Sequence, residues 1–333
     1  MAYLFGPVPS RRLGRSLGVD LVPRKTCPYN CIYCEVGPTT RRTLRRTEFH
    51  TEAILRELES YLARPGAPPD FITLAGSGEP TLNLGLARII AGIKQLTATP
   101  VAVLTNGALL YLPAVREALA DADVVLPSLD AARTHTFRII NRPHPSLSLE
   151  RVLGGLENFR QEHRGPIWLE IMLLKGINDG EDELKALKQA IKKIAPDKVQ
   201  LNTAVRPVVK NLAQPLGPEE MAAVAAFLGH GAEVIAEFRR SPEAPVMPRD
   251  ETFLEMLARR PMVARDLAET LGMPLSLVES CLRRLKIAGL IQEDRYLDQE
   301  FYRSFSPASP GEPGPQKPDA SLPGRAGPEK SSI

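Results

Sequence analysis

Six short apolar runs, each followed by sequence of a different spacing, restrict what this chain can fold into more than any other feature. The runs fall at residues 17–21, 71–74, 101–104, 123–126, 167–173 and 198–201. Between them, apolar residues recur three and four apart over residues 53–62, 86–96, 114–119, 149–159 and 181–194, the spacing of amphipathic helices. Ile54, Leu55, Leu58 and Leu62, for example, share one helical face. Strands separated by helices of this length form parallel β–α units. Six such units predict an α/β fold, a partial (β/α)6 or full TIM-like barrel, with its chemistry at the C-terminal ends of the strands.

The alternation fills residues 1–240. Residues 241–249, SPEAPVMPR, hold three prolines and predict a linker. A second, small domain is expected over residues 250–304. Helices are predicted at 250–257, at 264–272 ending on Gly272, and at 276–288 ending before Gly289. A hairpin of 290–292 and 295–297 follows, giving a winged helix-turn-helix pattern. Arg283, Arg284 and Lys286 would lie on its third helix, where recognition helices meet DNA. Glu279, Glu293 and Asp294 dilute that charge, and packing on the barrel or on another protein is the alternative. Residues 305–333 are dense in Pro, Gly and Ser and predict a disordered tail.

With 333 residues and 43% hydrophobic content, the chain can bury a large core without disulfides. Its net charge of +3 permits a nucleic-acid partner without requiring one. No signal-peptide core and no span of about 20 apolar residues is present, so a cytoplasmic protein with no membrane association is expected.

Three of the four cysteines lie within eight residues, as Cys27-Pro-Tyr-Asn-Cys31-Ile-Tyr-Cys34, on the loop leaving the first predicted strand. Cysteines so crowded bind metal or do redox chemistry more often than they form disulfides. Thiolates are the ligands of iron–sulfur clusters, and three of them leave one iron of a cubane open. A structural zinc site is the alternative. It wants a fourth protein ligand, but the nearest histidine is His50 and Cys281 lies in the other domain.

This C-x3-C-x2-C motif resembles the signature of the radical S-adenosylmethionine (SAM) superfamily, and the resemblance extends over nearly all of residues 1–240. Ser77-Gly78-Glu79-Pro80 looks like that family's segment for the methionyl amino group, with Ser77 at its usual first glycine. Thr105-Asn106 and Ser128-Leu129-Asp130 resemble segments that contact the cofactor's carboxylate or ribose. Glu170 and Asn202 would complete the ribose and adenine contacts, and Tyr33 would pack near the adenine. Each also has a plain structural reading, as a turn, a helix cap or a loop-filling ring. The resemblance implies a [4Fe–4S] cluster on Cys27, Cys31 and Cys34, SAM as second cofactor, and an electron donor such as flavodoxin or ferredoxin. The implied reaction is reductive cleavage of SAM to a 5′-deoxyadenosyl radical, which takes hydrogen from a substrate.

The opening FGPVPSRRLG and the stretch SLDAARTHTFRIINRPH are similar to the branch grouped with wyosine-type tRNA modification enzymes. Those enzymes use a second cluster with its own cysteines, and only Cys281 is left here. The substrate therefore stays open: tRNA, another macromolecule or a small molecule. Two alternatives are a glycyl-radical activase of a partner enzyme and a cluster- or SAM-responsive DNA-binding regulator. Arg11, Arg12 and Arg15, and Arg41, Arg42, Arg45 and Arg46, could grip phosphates or carboxylates near the mouth of the site. The second run lacks interleaved aromatics, which favours a solvated loop. His135 and His144 are expected in structural hydrogen bonds, and Cys281 in a helix core.

Overall fold

The computed structural model describes residues 3–10, 12–205, 213–229, 231–235, 250–271, 273–297 and 299–304. The predicted linker 241–249, the tail 305–333, Arg11 and Gly272 lie outside the described residues. In chain order the elements are β1 (Leu4–Ser10), β2 (Gly14–Val19), β3 (Thr26–Cys27), β4 (Arg41–Arg42), α1 (Thr51–Leu62), β5 (Phe71–Leu74), α2 (Leu86–Leu96), β6 (Val101–Thr105), α3 (Pro113–Ala118), β7 (Val124–Pro127), α4 (Thr134–Ile140), α5 (Leu149–Glu162), β8 (Trp168–Leu173), α6 (Glu181–Ile194), β9 (Lys198–Thr203), α7 (Pro218–Leu228) and β10 (Ala232–Val234). The six predicted strands are β2, β5, β6, β7, β8 and β9.

Their neighbours follow the sequence order that a β/α barrel requires. β2, β5, β6 and β7 pair in parallel, as do β8, β9 and β10. Bridges Val125–Ile167 and Ser128–Glu170 join the two sheets. β1 was not expected. It pairs antiparallel with β2, so the cysteine loop leaves the second strand of the chain and not the first.

Alternation places the strand residues on two faces. Leu17, Val19, Ile72, Leu74, Val101 and Val103 pack under the helices. Ala102, Val124, Leu126 and Leu13 form a separate apolar cluster with Phe71, Leu104 and Trp168 on the other face. The helices are amphipathic for the same reason. α6 buries Leu184, Leu187, Ile191 and Ile194, with Glu181, Asp182 and Glu183 in its first turn and Lys192 and Lys193 in its last. That charge order matches the helix dipole. No helix among the described residues is long and apolar enough to cross a membrane.

After α5 the chain buries His163 at 4% exposure, stacked on Phe159 at 4.7 Å, with neither ring nitrogen hydrogen-bonded. Burial, then the Arg160 cation, holds its pKa below the ordinary 6.5. Below pH 6.5 the unfolded chain therefore binds a proton that the folded protein refuses, and stability falls as the solution is acidified until the folded value is passed. The expected outcome is that His163→Leu flattens this part of the stability–pH curve, measured by urea unfolding between pH 5 and pH 7.

The C-terminal elements are α8 (Asp250–Arg259), β11 (Met262–Val263), α9 (Ala264–Leu271), α10 (Leu275–Ile287), β12 (Ile291–Tyr296) and β13 (Gln299–Ser304), the strands ordered β11-β13-β12. The hairpin expected of 290–292 and 295–297 does not form. Residues 290–292 and 295–297 do not face each other; most of both lie in β12, and the chain turns after Tyr296 to form β13. The polar pair Glu293–Asp294 reads as a turn locally, yet it continues the ladder, paired with Tyr302 and Phe301. The segment has its own core of Phe253, Leu257, Leu267, Val278, Cys281 and Leu282, joined by Val8 of β1. Cys281 is thus the buried core residue expected.

Candidate active site

The strand order brings the expected site residues to one end of the sheet. Thr26 and Cys27 pair with Arg41 and Arg42 at the start of the cysteine loop. The loop is fastened to the end of α4, where Asn30 N donates to Asn141 O at 3.0 Å and Ile32 N to Ile140 O at 3.0 Å. None of the four cysteines is in a disulfide. Cys27 Sγ accepts hydrogen bonds from Tyr29 N at 3.4 Å and Asn106 Nδ2 at 3.2 Å, and Cys31 Sγ from Asn141 Nδ2 at 3.5 Å.

Burial pushes the Cys27 thiol up, with Glu79 adding to it; burial does the same for Cys31, followed by Asp130, and for Cys34. Such thiols become thiolates when a metal supplies positive charge. Amide donors aimed at their sulfurs suit an iron–sulfur cluster, whose potential responds to hydrogen bonds at sulfur. Among the described residues no three His, Cys, Asp or Glu side chains converge on one point as a mononuclear metal requires. A cubane asks for no such convergence, since each thiolate binds a different iron. The donor set fits a cluster.

The loop after β5 packs against this one. Asp20, just beyond β2, accepts from Ser77 N at 2.5 Å and Ser77 Oγ at 3.2 Å, and Ser77 O accepts from Lys25 N at 2.7 Å. A Cβ on Gly78 would lie 2.4 Å from Thr26 O and 2.6 Å from Val22 Cγ2, so only glycine lets the two loops touch. Glu79 is buried, and its carboxylate points inward. It accepts from Thr81 N at 3.1 Å, Thr81 Oγ1 at 2.6 Å, Thr105 Oγ1 at 2.6 Å and Asn106 N at 2.8 Å. Burial raises its pKa against the pull of those bonds. Pro80 opens a short 3-10 turn capped by Glu79.

Asp130 plays the matching part after β7. Its carboxylate accepts from Tyr33 OH at 2.5 Å, Asn141 Nδ2 at 2.6 Å and Met172 N at 3.0 Å. Burial raises its pKa to about 6. The Tyr33 hydroxyl is committed to that bond. Ser128 N donates to Thr105 O at 2.9 Å. Glu170, on β8, accepts from Arg12 and, at 3.2 Å, from Asn202 Nδ2 on β9. Arg12 is therefore an ion-pair partner inside the fold and not an exposed grip for phosphate. Arg46 likewise turns inward, donating to Thr81 O at 2.9 Å and Asn83 O at 3.3 Å. Arg41, Arg42 and Arg45 are exposed, as is His135, while His144 Nδ1 accepts from Ser146 N at 3.3 Å.

Asp20, Asn141 and Arg259 were not among the expected residues. An acid directly after a strand was a signal for Asp20. Nothing local marks the other two: Cys31 lies 110 residues from Asn141, and Asp20 lies 239 residues from Arg259. Arg259, at the end of α8, ion-pairs with Asp20, donates to Leu4 O at 3.1 Å and lies over the Phe5 ring at 4.5 Å. The C-terminal segment thus reaches the loop of Ser77.

A largely parallel α/β sheet thus carries a cysteine triplet beside the C-terminal ends of its strands, the arrangement of an α/β enzyme with its chemistry at that end of the sheet. The family model described as the radical SAM superfamily matches residues 21–187, and the chain belongs to that superfamily. It is a radical SAM iron–sulfur enzyme whose cofactors are a [4Fe–4S] cluster and SAM. It is 37% identical over 298 residues to a protein named GTPase Obg from Brachyspira hyodysenteriae, covering 87% of this chain but only 43% of that one. It is 35% identical over 270 residues to a UPF0026 protein from Helicobacter pylori, covering 80% of this chain and 87% of the relative. A radical SAM methyltransferase structure from Sphaerobacter thermophilus shares the fold, with TM-score 0.51 and 18% identity over 66% of this chain and 65% of that one.

Proposed function

We propose that Cys27, Cys31 and Cys34 hold the [4Fe–4S] cluster and that the surrounding strand ends hold SAM. The observation that carries this reading is the pair of asparagine amides, Asn106 and Asn141, donating to Cys27 and Cys31. When bound, the cluster and SAM supply one-electron cleavage of the C5′–S bond, giving methionine and a 5′-deoxyadenosyl radical that abstracts hydrogen from substrate. The chain's own part is to hold and aim. The backbone of Ser77–Pro80 receives the methionyl end, with Gly78 bringing it close to the cysteine loop. Thr105, Asn106 and Ser128 line the same end of the sheet. Glu79 and Asp130, saturated by internal donors, fix neighbouring loops, and Tyr33 is held through Asp130. Glu170 and Asn202, oriented by Arg12, serve the ribose and adenine.

Residues 250–304 make, in this reading, a winged-helix-like module that packs on the catalytic domain instead of reading DNA. On α10, Arg284 pairs with Asp250 and Lys286 with Glu293. Arg283 lines a cavity of about 320 Å³ with Glu279, Glu293 and Glu300. Carboxylates so placed repel a phosphate backbone.

The test is anaerobic reconstitution with iron and sulfide, reduction with dithionite, and quantification of 5′-deoxyadenosine with and without bulk tRNA. Nucleoside above a Cys27→Ala control is expected, and its stimulation by tRNA would assign an RNA substrate. No nucleoside from protein with a proven cluster spectrum, whatever is added, would sink the reading.

A further inference from the structure

The stretch from Ser128 to His144 brings two buried polar side chains against the cysteine loop, Asp130 and Asn141, each 3% exposed. They bracket α4, and the stretch is clamped onto the loop. His144 N donates to Pro28 O at 2.8 Å, and the Phe137 ring meets Tyr29 edge-on at 5.5 Å.

The Asn141 side chain has one NH2 group with two protons to give. Its Nδ2 lies 2.6 Å from Asp130 Oδ2 and 3.5 Å from Cys31 Sγ. The neighbours of a buried amide decide which way round it sits. A carboxylate only accepts, so Asp130 draws the NH2 end toward itself and leaves the second proton for the sulfur. Reversed, the amide would point its oxygen at a carboxylate and a thiolate together. Asp130 is itself fixed on both oxygens, Oδ1 by Met172 N at 3.0 Å and Oδ2 by Tyr33 OH at 2.5 Å. The other amide is set differently. Asn106 Oδ1 accepts from Ala108 N at 2.9 Å, a bond within its own turn. At Cys27 the donor is thus oriented by its own loop, and at Cys31 by a carboxylate 11 residues away.

We propose that Asp130 is a positioning residue: it fixes the Asn141 amide as a donor to the Cys31 sulfur, and that bond raises the reduction potential of the cluster. The proposal rests on the reading of the cysteine loop above. Donors at sulfur favour the reduced, more negative cluster. Groups behind the ligands keep such donors aimed. The resemblance implies a SAM contact for Asp130, but its oxygens are taken up by Tyr33, Asn141 and Met172.

The experiment is a redox titration of the reconstituted protein without SAM, read by cluster absorbance and by electron paramagnetic resonance of the reduced state. It compares wild type, Asn141→Leu, Asp130→Asn and the double variant. Asn141→Leu is expected to lower the midpoint by about 30–60 mV, the one-electron equivalent of a roughly threefold to tenfold change. Asp130→Asn has two opposed effects. It removes a negative charge, which eases reduction, and it frees the amide to turn, which hinders it. In the Asn141→Leu background only the first remains, so there the same substitution should raise the midpoint further than it does in wild type. Loosened packing alone would change iron content and thermal stability without that inequality. An unchanged midpoint in Asn141→Leu would overturn the proposal. So would equal shifts from Asp130→Asn in the two backgrounds, because Asp130 would then not act through Asn141. Asn141→Ser, too short to reach the sulfur, takes the place of the leucine variant if that one binds less iron. Failure of the cluster reading is separable: the wild-type protein would show no [4Fe–4S] signal after reconstitution, or Cys31→Ala would keep it undiminished.

Discussion

Arg259→Ala is expected to cost about 3–5 kcal/mol of stability, the usual loss when one partner of a buried ion pair is removed. The pair is well shielded, with side-chain exposures of 19% for Arg259 and 12% for Asp20. The remaining carboxylate would be left without its cation while still holding Ser77. Burial already raises the Asp20 pKa, and the Arg259 charge opposes that rise. Without the arginine, Asp20 takes up a proton more readily. The destabilisation should therefore be largest at neutral pH and shrink as the pH falls. Urea unfolding at pH 7 and pH 5 reads this directly. Hydrogen exchange adds a local readout, in which the Ser77 amide should exchange faster at temperatures where the global fold is intact. Arg259→Lys restores the charge but not the paired donors or the stacking on Phe5, so it should rescue only in part. Equal stability and equal Ser77 exchange in wild type and Arg259→Ala would show that the C-terminal segment does not brace this loop.

Glu79→Leu should be at least as damaging, for a different reason. It removes one acceptor group from four donors that share it. Leaving buried donors unpaired costs about 1–3 kcal/mol each. Two of the four are backbone N–H groups, of Thr81 and Asn106, which cannot turn elsewhere. The loss should be several kcal/mol, and in the soluble fraction the Asn106 amide should no longer be fixed beside Cys27. Glu79→Gln keeps an acceptor oxygen for the three donors grouped on Oε1 but can present an NH2 group to Asn106 N. It should cost clearly less. Comparing the two variants by thermal unfolding and by iron bound after reconstitution separates a positioning role from direct ligand contact. A Glu79→Leu protein as stable as wild type, binding as much iron, would refute this account.

Much of this was legible in advance because it depends on local periodicity. The bounds of β5, α2 and α6 coincide with the spacing read from the chain, since alternation or helical repeat is written in adjacent residues. The cysteine spacing, Gly78 and Asn106 were legible likewise. β1 was missed because its burial pattern does not alternate cleanly and its partner strand is antiparallel. The hairpin is not legible because Glu293 and Asp294 look like a turn until β13 pairs with them.

The amino-acid sequence by itself determined the order of β–α units, the thiol triplet and the loops that could serve it. Periodicity and short motifs are properties of neighbouring residues, and no folding is needed to see them. Only the tertiary structure decided which polar groups face inward. Glu79 and Asp130 became saturated acceptors, Arg12 joined Glu170, Arg46 turned to carbonyls, and Arg259 crossed from the C-terminal segment to Asp20. Those choices follow from burial. A charged or polar group taken out of water must find a partner, and in a folded chain that partner is set by distance in space and not along the sequence.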